Sequence, residues 1–279
     1  MRPQLKLYLI AALALGVSFP GSDLQAQRRR SHHSDEGWIE RCRENGDRRR
    51  AQFCEERTSG WHASPGQSIT VDAGPNGGVS VSGWDLDSVQ VIARLHAQAY
   101  SDEDARALAG QVRILADHGN IRAEGPSNRG RESWWVSYEI SVPNRTDLSL
   151  DTENGPVAVE DVSGTMRLTA QNGPLTLERV AGDVRAHAQN GPLAVTLEGL
   201  RWQGAGLDAS TQNGPLVLTI PEGYNANLEA GTVNGPMSVD FPITLQGRIG
   251  GRRITTTLGQ GGPTVRAVTT NGPAILRRS

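Results

Sequence analysis

Apolar and polar residues alternate along most of the chain beyond residue 66, with the two-residue period that lets a β-strand bury one face. The alternating apolar positions include, in chain order, Ile69 with Val71, Val79 with Val81, Val89 with Val91, and Trp134, Val136, Tyr138, Ile140 and Val142 in the most hydrophobic segment. Many short segments of this kind, separated by turn residues, predict an all-β protein.

One segment departs from this alternation. Ser101 is followed by three acidic residues, and a hydroxyl cap with early negative charge favours the start of a helix. Apolar residues then recur at helical spacing as far as Val112. We therefore predict one short helix that ends near Gly110.

The tripeptide Asn-Gly-Pro recurs through the second half of the chain. Asn-Gly between alternating segments usually signals a two-residue hairpin, but the proline that follows has no N–H with which to close such a turn. We interpret each tripeptide as a corner, where glycine supplies a positive φ and proline fixes the first residue of the next strand. The corners are Asn154-Gly155, Asn172-Gly173, Asn190-Gly191, Asn213-Gly214, Asn234-Gly235 and Asn271-Gly272, with a degenerate Gly-Gly-Pro at Gly261.

The spacing of these corners is nearly regular. The first two intervals are 18 residues long, and the next two are slightly longer. Such periodicity is typical of stacked repeats that bury their apolar faces against one another. We predict a single-stranded parallel β-helix, or β-solenoid, in which the asparagine side chains form a hydrogen-bonded ladder.

The N-terminus has the pattern of a cleavable signal peptide, with a basic start, a short apolar segment and a small residue at Ala26. We predict a signal peptide at 1–26, a polar, arginine-rich segment with a disulfide at 27–66, and a β-solenoid domain at 67–279. The Asn-Gly-Pro array covers 148–279 of that domain. The protein is expected to be periplasmic or secreted, and no later segment is apolar enough to predict a membrane span after signal cleavage.

The chain has two cysteines, Cys42 and Cys54. In an oxidising compartment such a pair is expected to form a disulfide rather than a redox couple or a metal site. His32 and His33 are the histidines nearest in sequence, but their spacing from the cysteines matches no standard zinc pattern. We predict a small disulfide-stapled N-terminal segment without a metal.

Composition agrees with this organisation. The 33 glycines, 15 prolines and 5% aromatic residues suit many short strands joined by turns. A formal net charge of −2 gives no overall attraction to nucleic acid, and we expect no nucleic-acid partner.

The apolar segment LYLIAALAL, the alternating strand SWWVSYEISVP and the serial Asn-Gly-Pro corners together resemble the bacterial putative-adhesin family of exported proteins. The resemblance covers about Gln67 to Leu276. It implies a single-stranded β-helix related to adhesin head domains, and it brings no catalytic residues.

Acidic residues near strand ends raise the alternative of a glycosidase, which needs two carboxylates with opposed pKa values beside a cleft. These residues are Glu160, Asp161, Glu178, Asp183, Glu198 and Asp208. Repeated surface acids at turns do not predict that geometry. The sequence also lacks GxSxG, HExxH, Walker and calcium-repeat motifs, so we predict no catalytic residue, cofactor or metal.

Trp202 is the candidate for a partner contact, because it lies in the longest of the early intervals between corners. Packing over the end of a coil of the solenoid is the alternative. We hypothesise a non-enzymatic, adhesin-like envelope scaffold that binds a protein or glycan partner. The alternative functions are a carbohydrate-active β-helix enzyme and an envelope sensor or regulatory partner.

Overall fold

The computed structural model describes residues 37–44, 50–64, 66–240 and 246–279. The predicted signal peptide, His32 and His33 lie outside the described residues. The elements are α1 (37–44), β1 (Ala51–His62), β2 (Ser68–Asp72), β3 (Val79–Trp84), β4 (Ser88–Ala99), α2 (Asp102–Gln111), β5 (Arg113–Asp117), β6 (Asn120–Glu124), β7 (Ser133–Pro143), β8 (Asp147–Thr152), β9 (Val157–Glu160), β10 (Ser163–Ala170), β11 (Leu175–Glu178), β12 (Ala181–Ala188), β13 (Leu193–Thr196), β14 (Gly206–Asn213), β15 (Leu216–Ile220), β16 (Ala226–Asn234), β17 (Met237–Val239), β18 (Gln246–Gly250), β19 (Arg253–Leu258), β20 (Thr264–Asn271) and β21 (Ala274–Arg278).

The strands form two mixed sheets. Sheet A has ten strands in the order β1-β4-β7-β3-β9-β11-β13-β15-β21-β17, and sheet B has eleven in the order β18-β19-β16-β20-β14-β12-β10-β8-β2-β6-β5. The all-β prediction holds, but the prediction of a single-stranded parallel β-helix (β-solenoid) is wrong. In sheet A, β4 pairs antiparallel with both β1 and β7, and sheet B contains three further antiparallel pairs.

The error has a simple physical cause. A two-residue apolar period gives the same pattern in parallel and antiparallel strands, because it reports only which face is buried. The antiparallel strands lie toward the ends of the sheets, where an exposed strand edge is open to pairing with another chain. The prediction of one short helix is also incomplete, since α1 is a second helix.

Helix α2 begins where the sequence predicts. The Ser101 side chain caps it by accepting a hydrogen bond from the backbone N–H of Asp104 at 3.1 Å. At the other end, the Arg57 guanidinium of β1 donates to the carbonyl oxygens of Ala109 at 3.0 Å and Val112 at 2.5 Å. A cation placed at the carbonyl end of a helix is favourable for the helix dipole. These contacts join α2 to the end of sheet A.

Between the ends, the chain alternates between the two sheets. It crosses from sheet B to sheet A at every Asn-Gly-Pro and at no such point folds back antiparallel. Strands β9, β11, β13 and β15 pair parallel, so that Val157, Leu175, Leu193 and Leu216 lie side by side. These four side chains are at most 1% exposed and form part of the core between the sheets.

The glycine of each corner has a different role from the one predicted. None of the six glycines has φ in the left-handed region, so the expected positive φ is wrong. A Cβ on Gly173 would instead collide with the carbonyl oxygen of Gly155, and the same collision recurs at each successive corner. Glycine is required because neighbouring backbones stack too closely at the corner to admit a side chain.

The proline of each corner supplies an acceptor rather than a donor. The carbonyl oxygen of Pro174 accepts a hydrogen bond from Val157 N at 2.9 Å, and that of Pro192 accepts one from Leu175 N at 2.9 Å. The first residue of one strand is thereby tied to the proline of the neighbouring corner. The N–H that proline lacks is not needed for this pattern.

The asparagine side chains of the corners form a continuous row of hydrogen bonds. Each Nδ2 donates to the Oδ1 of the next asparagine at 2.8–2.9 Å. The donor–acceptor pairs are Asn172 to Asn154, Asn190 to Asn172, Asn213 to Asn190, Asn271 to Asn213, and Asn234 to Asn271. The order differs from that of the sequence, because β20 and β21 lie between the earlier pairs β14–β15 and β16–β17. The Gly-Gly-Pro at Gly261 lies between β19 and β20, outside this row.

The predicted disulfide is present. Cys42 of α1 is bonded to Cys54 of β1, and both residues are buried. Because β1 pairs with β4 along its whole length, the disulfide fastens α1 to the antiparallel end of sheet A.

Candidate functional site

A groove of about 720 Å³ opens at one side of the two sheets. It lies where the chain returns from sheet A to sheet B, on the side opposite the Asn-Gly corners. Gly164 and Gly182 line it at the starts of β10 and β12. A Cβ on Gly182 would collide with the carbonyl oxygen of Gly164, so close stacking of neighbouring strands keeps this wall free of side chains.

The floor of the groove is apolar and its rim is polar. Ile69 and Val89 contribute to the floor, and both are buried. Asp87, Arg145 and Gln203 line the rim and are exposed. Their side chains make no hydrogen bond or ion pair within the described part of the chain, which leaves an acid, a guanidinium and an amide available to a ligand.

Short local contacts hold the other polar residues of the groove in place. Asp147 accepts a hydrogen bond from the backbone N–H of Thr165 at 2.6 Å, which ties β8 to β10. Thr146 donates its hydroxyl to the carbonyl oxygen of Pro143 at 2.7 Å. Gln67 Oε1 accepts from Ser64 N at 3.2 Å. The groove is therefore built on fixed backbone.

Trp202 supports this wall from behind. Its side chain is 3% exposed, and its indole N–H donates to the carbonyl oxygen of Gly182 at 3.0 Å. Trp202 therefore packs against the core, as the alternative interpretation of the sequence expects. The predicted partner contact through an exposed Trp202 is wrong. The indole is buried because it packs into the hydrophobic core between the sheets.

The acidic residues considered for catalysis cluster around one arginine. The Arg179 guanidinium contacts Asp161 at 2.7 Å, Glu160 at 3.3 Å and Glu178 at 3.4 Å. Its hydrogen bond lowers the pKa of Asp161 below the ordinary value. A glycosidase requires instead a general acid whose pKa is raised. The arrangement is that of an ion-pair network joining neighbouring strands.

The remaining acids of that set are dispersed. Asp183 lies 3.8 Å from Arg185, and Asp208 binds Arg266 on the outer face of sheet B. Glu198 is exposed beyond the end of β13. Within the described residues, the structure does not bring these three carboxylates together.

The groove could not be located from the sequence. Its lining comes from the β1–β2 link, the start of β4, the β7–β8 link and three later segments. No single motif spans these segments. The pairing of β2 with β8 and β8 with β10 brings them together, and a period-2 pattern does not specify which strands pair.

Comparison with known proteins finds no matching family model and no matching curated protein. Among solved structures, the chain is similar to a putative cell adhesion protein from Clostridium sporogenes, with 10% identity, a TM-score of 0.40, and coverage of 81% of this chain and 100% of that chain. It is also similar to a putative adhesin from Bacteroides fragilis, with 12% identity, a TM-score of 0.28, and coverage of 81% and 97%. A putative lipid binding protein from Parabacteroides distasonis matches with 8% identity, a TM-score of 0.30, and coverage of 79% and 96%.

Adhesin names recur among the solved structures to which the chain is similar. In the part of the chain that the structure describes, neither helix has the length and apolar character needed to cross a bilayer.

Proposed function

We propose that this protein is an exported, non-enzymatic scaffold of the cell envelope, and that its groove binds a glycan. The observation that carries the proposal is the groove itself, with a small apolar floor and an unpaired acid, guanidinium and amide on its rim. Sugars present both C–H faces and hydroxyl groups, which match such a floor and such a rim.

Rigidity supports a binding role. The wall of the groove consists of parallel strands in register, and on the opposite side the same strands are joined by the asparagine row. A site built on fixed strands loses little conformational entropy when a ligand binds.

Export and the absence of catalysis belong to the same proposal. The N-terminal pattern of a signal peptide and the disulfide between Cys42 and Cys54 suit an oxidising compartment. Glu160, Asp161 and Glu178 share the positive charge of Arg179, an arrangement that suits a structural role.

A glycan array probed with the full chain tests the proposal, followed by calorimetric titration of each glycan that binds. We expect the double variant Arg145→Ala, Gln203→Ala to weaken binding at least about tenfold, since each lost hydrogen bond to a charged or polar group contributes about 1 kcal/mol or more. The matched control is Arg167→Ala, an exposed arginine on β10 outside the groove, which should leave affinity unchanged.

Two results would overturn the proposal. Equal glycan affinity of the double variant and the wild type would show that the groove is not the site. Release of reducing sugar from a polysaccharide panel, abolished by Glu160→Gln or Glu178→Gln, would show that the protein is an enzyme.

A further inference from the structure

The disulfide lies within a cluster that also contains an imidazole and two indole rings, which a cross-link alone does not require. Cys54, His96 and Trp135 lie directly opposite one another on the neighbouring strands β1, β4 and β7. Helix α1 covers this row and brings Cys42 and Trp38 onto it. The cluster is therefore assembled from four elements that are distant in sequence.

The imidazole of His96 is directed at the disulfide. Its Nδ1 lies 3.2 Å from Cys42 Sγ, and the ligand atoms of Cys42, Cys54 and His96 all lie within 4.8 Å of one another. Trp135 stacks on the imidazole at 4.7 Å, and Trp38 contacts it edge-on at 5.1 Å. Two aromatic side chains thus fix the orientation of the ring.

A fourth polar group faces the same point. Gln52 Nε2 lies 3.4 Å from Cys42 Sγ and 3.5 Å from His96 Nδ1. Its Oε1 is buried and has no hydrogen-bond partner among the described residues, although buried polar atoms are normally paired. Rotation of the amide by 180° would exchange the two atoms and direct an oxygen at the cluster.

We propose that reduction of the Cys42–Cys54 disulfide converts this cluster into a Cys2His site for a thiophilic divalent metal such as Zn²⁺, with Gln52 or water as the fourth ligand. Two sulfurs and one imidazole nitrogen are a common ligand set for zinc, which prefers tetrahedral geometry. Zn–S bonds of about 2.3 Å and Zn–N bonds of about 2.0 Å place sulfur and nitrogen roughly 3.5 Å apart, close to the present separation of Cys42 Sγ and His96 Nδ1.

The chemistry balances with a phosphine as reductant. The phosphine takes an oxygen atom from water and becomes the phosphine oxide, while the disulfide accepts two electrons and two protons and becomes two thiols. Zn²⁺ then displaces the two thiol protons and binds both thiolates. Disulfide and metal are mutually exclusive, since both use the same sulfur atoms.

Titration of the phosphine-reduced full chain with Co²⁺ tests this site, because thiolate ligation gives cobalt a near-ultraviolet charge-transfer band. We expect the band in the reduced wild type and its absence in the oxidised protein. His96→Ala should weaken Co²⁺ binding at least about tenfold, since loss of a fixed imidazole ligand removes one of three protein ligands. The control His62→Ala changes an exposed histidine of the same sheet edge and should leave affinity unchanged.

A second measurement does not depend on a histidine variant. Stoichiometric Zn²⁺ should slow alkylation of Cys42 and Cys54 by iodoacetamide in the reduced wild type at least about tenfold and raise its unfolding temperature. Unchanged alkylation rates, or a cobalt band of equal affinity in His96→Ala, would overturn the proposal and leave the cysteines with a cross-linking role only.

Discussion

Replacement of Gly173 by alanine probes the stacking of the Asn-Gly corners directly. The new Cβ would meet the carbonyl oxygen of Gly155 far inside contact distance, and this oxygen belongs to backbone that cannot rotate away. The neighbouring corners would have to separate. Gln171 N to Thr152 O, at 2.9 Å, and Asn172 N to Glu153 O, at 2.6 Å, are the backbone hydrogen bonds most exposed to that movement.

The cost follows from these contacts. Overpacking of a closely packed site costs about 1–3 kcal/mol, and loss of the two backbone hydrogen bonds adds about 0.5–1.5 kcal/mol each. We therefore expect Gly173→Ala to lower the free energy of unfolding by about 2–6 kcal/mol. A positive φ does not contribute, because Gly173 does not have one.

Urea unfolding followed by circular dichroism, with the disulfide intact, measures the effect. Gly110→Ala is the matched control, because Gly110 lies within α2 and a Cβ there meets nothing within 4 Å. That change should raise stability by about 0.5–1 kcal/mol through the lower helix propensity of glycine. If Gly173→Ala unfolds at the wild-type urea concentration, the reasoning from close backbone stacking is refuted.

Two further predictions concern side chains of the parallel region. Asn190→Ala removes the hydrogen bond to Asn172 and the one from Asn213, both 2.8 Å long, and should lower the free energy of unfolding in urea by about 1 kcal/mol. The control Gln189→Ala should have little effect. Equal stability of the two variants would count against a stabilising role of the asparagine row. The second compares Asp151 and Asp161 across pH. Burial, and then Asp72 beside it, raises the pKa of Asp151, while the hydrogen bond from Arg179 lowers the pKa of Asp161. Asp151→Asn should therefore stabilise the protein at pH 7, and this gain in stability should disappear as the pH falls toward about 4. Asp161→Asn should destabilise the protein at pH 7, and this loss of stability should disappear as the pH falls below about 4. Each effect on stability should be at most about 1 kcal/mol, because both carboxylates are largely exposed. Thermal unfolding of both variants between pH 3 and pH 7 measures these effects. A destabilised Asp151→Asn or a stabilised Asp161→Asn at pH 7 would contradict the reasoning.

Local features of the fold could be predicted from the sequence. The alternation at Ile69 and Val71 identifies the buried face of β2, and Ser101 marks the start of α2, because each signal depends only on residues close in sequence. The disulfide could also be predicted, since only two cysteines exist. These properties need no knowledge of which strands pair.

The antiparallel pairing could not be predicted. β4 and β7 show the same alternation as the parallel strands, yet they pair antiparallel over nine residue pairs from Gln90 to Gln98. The position of α1 depends on the disulfide and on Trp38 packing against His96. The candidate groove and the cysteine–histidine cluster both require these long-range contacts, so neither could be located from motifs.

The insertion of β20 and β21 between earlier strands shows what fixes the order of the strands. Every Asn-Gly corner presents the same asparagine amide and carbonyl groups to its neighbours, so one corner can stack on any other with equal hydrogen bonding. The corners therefore stabilise stacking without specifying its order. Specificity must come from contacts that occur once, such as the antiparallel pairing of β19 with β16 and of β4 with β7. The antiparallel strands therefore do more than cover exposed edges, because they add contacts that distinguish one order of strands from another.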